Sequence, residues 1–235
     1  MKLQKMQVDP NALWLQESDF RTDLKFIVRW VMKNPFIMFL VDDIVFKGPV
    51  VFDETFEHFK TNSQIATLSL RLGKCITYCY VRDCACPPPK FLEGPYRTWV
   101  WATAGVEGVG PMYWDYPMSV DGHIFRASDI RPLVQNLDYD CPNLFENKIA
   151  GHPLRKRPLM MCYDEPRVVN LPLNKVHRFN NRHGTITQKY LNDHWLDGKR
   201  IALDSIYQLK NNSCHCEVQV ELEDIPDLAH AKGGV

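Results

Sequence analysis

Between Glu17 and Asp43 the chain reads ESDFRTDLKFIVRWVMKNPFIMFLVDD, and this stretch limits the possible folds more than any other. Phe20, Leu24, Ile27, Val28 and Val31 recur at helical spacing, so residues 17–33 form an amphipathic helix. Acidic residues open it and Lys33 closes it, as the helix dipole favours, and Asn34-Pro35 stops it. The run FIMFLV follows at once, short and unbroken as in a strand buried on both faces. Helix, tight turn, buried strand is the rhythm of an α/β sheet. The run ends in Asp42 and Asp43, and carboxylates are seldom buried unless paired or bound to a metal.

Further elements follow from the same rules. DETFEHFKTN reads as a short helix, and QIATLSLRLG, KCITYCYV and TWVWAT read as strands. CPPPKFLEGPYRT is a Pro-rich loop. SDIRPLVQNL and CPNLFENKI are short helices opened by capping residues or proline. RVVNLPLNKV contains a strand, TITQKYLNDHWLDG is a helix ending at Gly198, and CHCEVQVEL alternates as a late strand. No repeat or linker divides the 235 residues, so the expectation is one mixed α/β domain over 1–235, with flexible ends at 1–14 and 225–235.

The formal net charge is zero, which gives no general pull toward nucleic acid or membranes. No apolar stretch approaches the roughly 18 residues of a membrane span. The N-terminus lacks the layout of a signal peptide, and the expectation is a cytoplasmic protein without a transmembrane segment. The eight cysteines, in a chain large enough to fold unaided, read as reduced thiols. Cys75, Cys79, Cys84 and Cys86, and the run Cys214-His215-Cys216, match zinc spacing only loosely.

Four constellations carry possible chemistry. Asp42 and Asp43 stand where a buried strand ends, the usual place for ligands in open α/β sheets. Adjacent carboxylates repel unless a cation intervenes, and Mg²⁺ or Mn²⁺ with a diphosphate is one such cation site; a turn cap beside a solvated acid is the alternative. In YWDYPMSVDGHIFR, the rings of Trp114 and Tyr116 with Asp115, Asp121 and His123 suit a sugar site, and either acid could serve as general base. An aromatic core edge with a turn at Asp121-Gly122 is the alternative. NLPLNKVHRFNNRHG concentrates polar groups, among them Asn170, Asn174, Arg178 and Arg182, and arginine suits a diphosphate; a surface turn is the alternative. His215 and Glu217, two apart, share one strand face, and His215 could join a metal or leaving-group site.

The ordered set FLVDDIVFK, SLRLGKCITYCY, WDYPMSVDGHIFR, CPNLFE, NLPLNKV and LNDHWLDGKRIAL resembles glycosyltransferase-like proteins of the GT-A, nucleotide-diphospho-sugar type, over about residues 15–220. The resemblance implies a mostly parallel, Rossmann-like sheet flanked by helices. It also implies transfer of a sugar from a nucleotide-diphospho-sugar donor to the hydroxyl of a glycan or other acceptor, with Mn²⁺ or Mg²⁺ as cofactor. Asp43 would be the chief metal ligand and Asp42 would help hold ribose or metal. Asp121, then Asp115, would stand where such enzymes place a base. Val41-Asp42-Asp43 departs from the family's Asp-x-Asp pattern, and only 41 residues precede Asp42, fewer than the family's nucleotide-binding segment takes. That shortness implies a sheet edge open to self-association. It also keeps two rivals in play: a catalytically impaired relative acting as a glycan-binding or scaffold protein, and another metal-dependent phosphoryl-transfer enzyme.

Overall fold

The opening helical pattern becomes α1 (Phe20–Trp30) in the computed structural model, which describes residues 15–30, 33–50, 54–95, 97–102, 113–152, 157–173 and 182–225. Its first turn is closed by side chains. The Thr22 N–H donates to Asp19 Oδ1 (2.8 Å), and the Ser18 and Asp19 N–H groups donate to Asp23 Oδ2 (2.7 and 3.1 Å). Beyond Pro35 comes β1 (Phe36–Met38), then a turn at Asp42-Asp43 and β2 (Ile44–Phe46). Next are α2 (Glu54–Thr61), β3 (Ile65–Ser69), β4 (Tyr78–Cys79), β5 (Cys84–Ala85), β6 (Leu92–Glu93) and β7 (Thr98–Ala102). After a 3₁₀ turn at Tyr113–Asp115 the chain forms β8 (His123–Arg126), α3 (Ala127–Asn136), α4 (Pro142–Ala150), β9 (Leu159–Tyr163) and β10 (Val168–Asn170). It ends with α5 (Gln188–Leu196), β11 (Lys199–Ile201), α6 (Asp204–Tyr207) and β12 (Leu222–Asp224).

The fold is mixed α/β around a six-stranded sheet in the order β1-β8-β3-β9-β7-β6, with two-stranded ladders β10-β2, β11-β12 and β4-β5 beside it. The expected mostly parallel sheet is not what forms. Among the described residues of this sheet only β3 and β9 run parallel; the other four pairings are antiparallel. Two of the antiparallel pairings come from β8, whose HIFR segment inserts between β1 and β3 and runs against both, and two from β7, which runs against β9 and β6. FIMFLV is likewise not a central strand. β1 holds three half-buried residues at the sheet edge, and Leu40 and Val41 are exposed. An apolar run does not by itself separate a central strand from an edge strand backed by helices on both faces.

Alternation along the strands sorts the core. Ile37 and Phe125 face α1, α3 and α4, packing with Val28, Ile130, Leu133 and Phe145. Phe36, Met38, Ile124 and Met161 face the other way, against Phe56 and Phe59 of α2. Each fully buried side chain of this size stabilises the fold by roughly 1.5–3 kcal/mol. The buried Arg126 guanidinium ties β8 to the carbonyl end of α2 and the start of β3, donating to the oxygens of Phe59, Asn62 (2.6 Å) and Ile65 (2.8 Å). Thr187 caps α5 by accepting the Tyr190 N–H, and Gly198 follows the helix with φ of 81°.

CHCEVQVEL yields only a bridge between His215 and Asn170 and the start of β12, because the chain there bonds to β10 rather than to the sheet. Ile225, expected in a flexible end, donates its N–H to Gly198 O (2.9 Å); residues 1–14 and 226–235 lie outside the described set. All eight cysteines are free thiols. No helix among the described residues is long and apolar enough to cross a membrane.

Candidate functional site

Asp43, Asp121 and His215 meet, although 78 residues separate the first two and 94 the last two. The turn at Asp42-Asp43 feeds β2, which pairs with β10 so that Ile44 lies opposite Asn170. The Leu171 N–H donates to Asp43 O (2.9 Å) and fixes the turn. Asp121 is held by the next residue. Gly122 has φ of +70°, and its N–H and C=O bond Phe39 O (3.1 Å) and Leu70 N (2.9 Å). A Cβ at Gly122 would also stand 3.1 Å from Val168 Cγ2, so the turn needs glycine for its backbone and its space.

Asp121 is buried and doubly held. Its Oδ2 is ion-paired with Arg71 Nη1, and its Oδ1 accepts from Asn170 Nδ2 (2.8 Å). The same Nδ2 reaches Asp43 Oδ1 at 3.3 Å. His215 Nε2 lies 3.8 Å from Asp121 Oδ2, while its Nδ1 meets the Tyr113 hydroxyl at 3.1 Å. The Tyr113 ring stacks on the imidazole at an angle of 26° with centroids 5.9 Å apart, and the Arg71 guanidinium sits 5.4 Å from the Tyr113 ring centre.

These contacts tune the acids in opposite directions. Burial is the largest single influence on Asp121 and works against its ionisation, but Arg71, His215 and the Asn170 hydrogen bond together outweigh it and hold the carboxyl below its ordinary range. Burial, then repulsion from Asp121, pushes Asp43 up to about 6. Burial pushes His215 down to about 4, so its imidazole is neutral at pH 7. Two carboxyls whose environments drive them apart form a common acid–base arrangement.

The remaining expected residues fall elsewhere. Asp42 is on the exposed side of the turn beside Asp43. Asp115 and Tyr116 are half-buried at the end of the turn that begins with Tyr113. Trp114 is fully buried; its ring packs edge-on against Phe91 and Trp101, and its carbonyl accepts the Trp101 indole N–H (2.8 Å). It is a core residue, not an open platform for a sugar. His123 is also fully buried, with Nδ1 against Pro117 O (3.2 Å), and burial pushes it down to about 3. Arg182 is exposed and covers the Tyr80 ring, 3.3 Å from the Tyr78 hydroxyl and 3.5 Å from Asp83 Oδ1. Asn174 and Arg178 lie outside the described residues.

Sequence reasoning did not select Arg71; it named Asn170 only among the polar groups of its loop, and Tyr113 only as part of the YWDY segment. A signal existed for Arg71: one arginine inside the apolar SLRLG must find a partner if that segment is buried.

Among the described residues no three or more His, Cys, Asp or Glu side chains form a set that could hold a metal ion alone. Mg²⁺ needs less than that, because it takes one or two carboxylates and completes its shell with water and substrate phosphates. Asp43 offers such a hard oxygen, and the Asp121 charge beside it leaves negative potential for a cation to relieve. Asp43 would then be the residue that holds a divalent cation brought with a phosphorylated substrate.

No protein-family model, no curated protein and no solved structure matches this chain, so the site is read from its own residues.

Proposed function

We propose that the chain is a metal-dependent glycosyltransferase of the GT-A kind, moving a sugar from a nucleotide-diphospho-sugar to an acceptor hydroxyl. The observation that carries the reading is the convergence of Asp43 and Asp121 on one buried amide, that of Asn170, beside Arg71 and His215. Asp43, with Asp42 next to it, would hold Mn²⁺ or Mg²⁺ against the donor diphosphate. When bound, that cation supplies charge compensation for the leaving diphosphate. Arg71 keeps Asp121 ionised, and so in the form that accepts a proton from the acceptor hydroxyl, although it also lowers the proton affinity of that carboxylate.

The test is release of nucleoside diphosphate from a panel of nucleotide sugars with Mn²⁺, comparing the natural chain with Asp43→Asn. Mn²⁺-dependent release that Asp43→Asn abolishes supports the reading. Equal turnover by the variant rules out the role of Asp43, and release of inorganic phosphate instead points to phosphoryl transfer.

A second reading, a glycan-binding protein without turnover, is favoured by one observation: both Asp121 oxygens are already engaged, by Arg71 and by Asn170. Saturable glycan binding with no product in the same assay would select it.

A further inference from the structure

We infer that Asn170 is a positioning residue: it clamps the Asp42-Asp43 turn to the Asp121 turn and sets the spacing of the two acids. Asn170 is the junction of three segments distant in sequence. Its backbone N–H donates to Cys214 O and its C=O accepts from Cys216 N, both at 2.9 Å, which pins it to the segment carrying His215. Its side-chain Nδ2 spans Asp121 Oδ1 at 2.8 Å and Asp43 Oδ1 at 3.3 Å. Asn170 is 1% exposed, so water does not substitute for these contacts.

The other half of the amide strengthens the case. Asn170 Oδ1 is buried and has no hydrogen-bond partner. A buried polar atom without a partner destabilises a fold, and an apolar side chain of similar shape avoids that loss. An asparagine here is explained by its NH₂ group, which gives two like-charged carboxylates a common donor. Ser213, Tyr113 and His215 complete the surrounding network without touching that amide. The geometric clamp stands on these contacts alone; its consequence for cation binding rests on the metal–diphosphate reading above.

Two measurements on the full chain separate the two. The first is a double-mutant cycle in thermal melting with Asn170→Leu, Asp43→Ala and the pair. The clamp requires that Asn170→Leu lowers the melting temperature clearly less in the Asp43→Ala background than in the natural chain. Strict additivity overturns it. Asn170→Ser replaces leucine in the cycle if the leucine variant does not fold. The second is Mn²⁺ affinity by electron paramagnetic resonance with a nucleoside diphosphate present. Asn170→Leu and Asn170→Asp should each weaken Mn²⁺ by about ten-fold or more, the usual effect of losing a group that orients a ligand. Asn170→Asp retains the shape and adds a negative charge, so unchanged or tighter Mn²⁺ binding by it overturns the positioning role. If the natural chain binds no Mn²⁺, the metal–diphosphate reading fails, while the melting cycle still decides the clamp.

Discussion

Arg71 Nη1 is ion-paired with Asp121 Oδ2 where both side chains are almost out of solvent, 5% and 12% exposed. A buried pair is far more sensitive to the loss of one member than of both. Arg71→Met should therefore destabilise the chain by about 3–5 kcal/mol, because it leaves Asp121 charged and unpaired. Arg71→Met with Asp121→Leu should recover much of that loss. Urea unfolding of the two variants measures the difference; equal stabilities would mean that the pair is not a buried unit.

Two imidazoles and one carboxyl give stability a defined pH dependence. Burial pushes His123 down to about 3 and His215 to about 4, both from an ordinary 6.5. Below pH 6.5 the unfolded chain binds protons that the folded chain refuses. The stability these groups contribute above pH 6.5 is lost on acidification, at about 1.4 kcal/mol per pH unit for each. Asp43 acts in the opposite sense. Raised from 3.8 to about 6, it takes up its proton first in the folded chain, so its contribution grows as the pH falls from 6 toward 3.8. His123→Leu should flatten the acid limb of stability against pH, and Asp43→Asn should steepen it. Denaturant titrations between pH 4.5 and 7.5 read both slopes, and identical slopes in all three chains would refute the assignment.

Gly122 offers a local check on how Asp121 is held. With φ of +70° and Val168 Cγ2 3.1 Å from where a Cβ would stand, Gly122→Ala should cost about 1–2 kcal/mol from the left-handed backbone alone. It should also move Asp121 off Arg71. A chemical-shift change confined to residues near Gly122, with Asp121 undisturbed, would contradict that linkage.

Trp114 distinguishes core from binding surface. Its ring packs edge-on against Trp101 with centroids 5.0 Å apart. Trp114→Ala should destabilise by about 3–5 kcal/mol. Below its melting temperature it should leave glycan affinity unchanged. A large affinity loss at unchanged stability would restore Trp114 as a sugar platform.

The helices were legible because their signals are local. Helical spacing marks α1, proline opens α4, and Thr187 and Gly198 bracket α5. The sheet was less legible because strand order is not local. HIFR belongs to a strand beside β1 and β3, yet its polar neighbours drew it toward a ligand site. LMMCY of β9, a five-residue apolar run with no periodicity, carries no strong signal although it pairs with both β3 and β7. The site divides in the same way. Asp43 and Asp121 stand out as carboxylates in apolar company. Arg71 lies 50 residues from Asp121, and Asn170 lies 49 from Asp121 and 127 from Asp43, so only the fold brings them together. Trp114 shows the remaining ambiguity: an aromatic beside acids fits a sugar platform and a buried core equally well in sequence.

The most direct measurement is the melting temperature of the natural chain and of Asp43→Asn with Mn²⁺ and a nucleoside diphosphate, together and separately. A ligand that binds only the folded state at 100 times its Kd adds about 2.7 kcal/mol, a rise of about 5–10 °C for a chain of this size. The expected result is such a rise in the natural chain with both ligands present, little with either alone, and none in Asp43→Asn. No rise in the natural chain, or an equal rise in the variant, would contradict a metal–diphosphate site at Asp43.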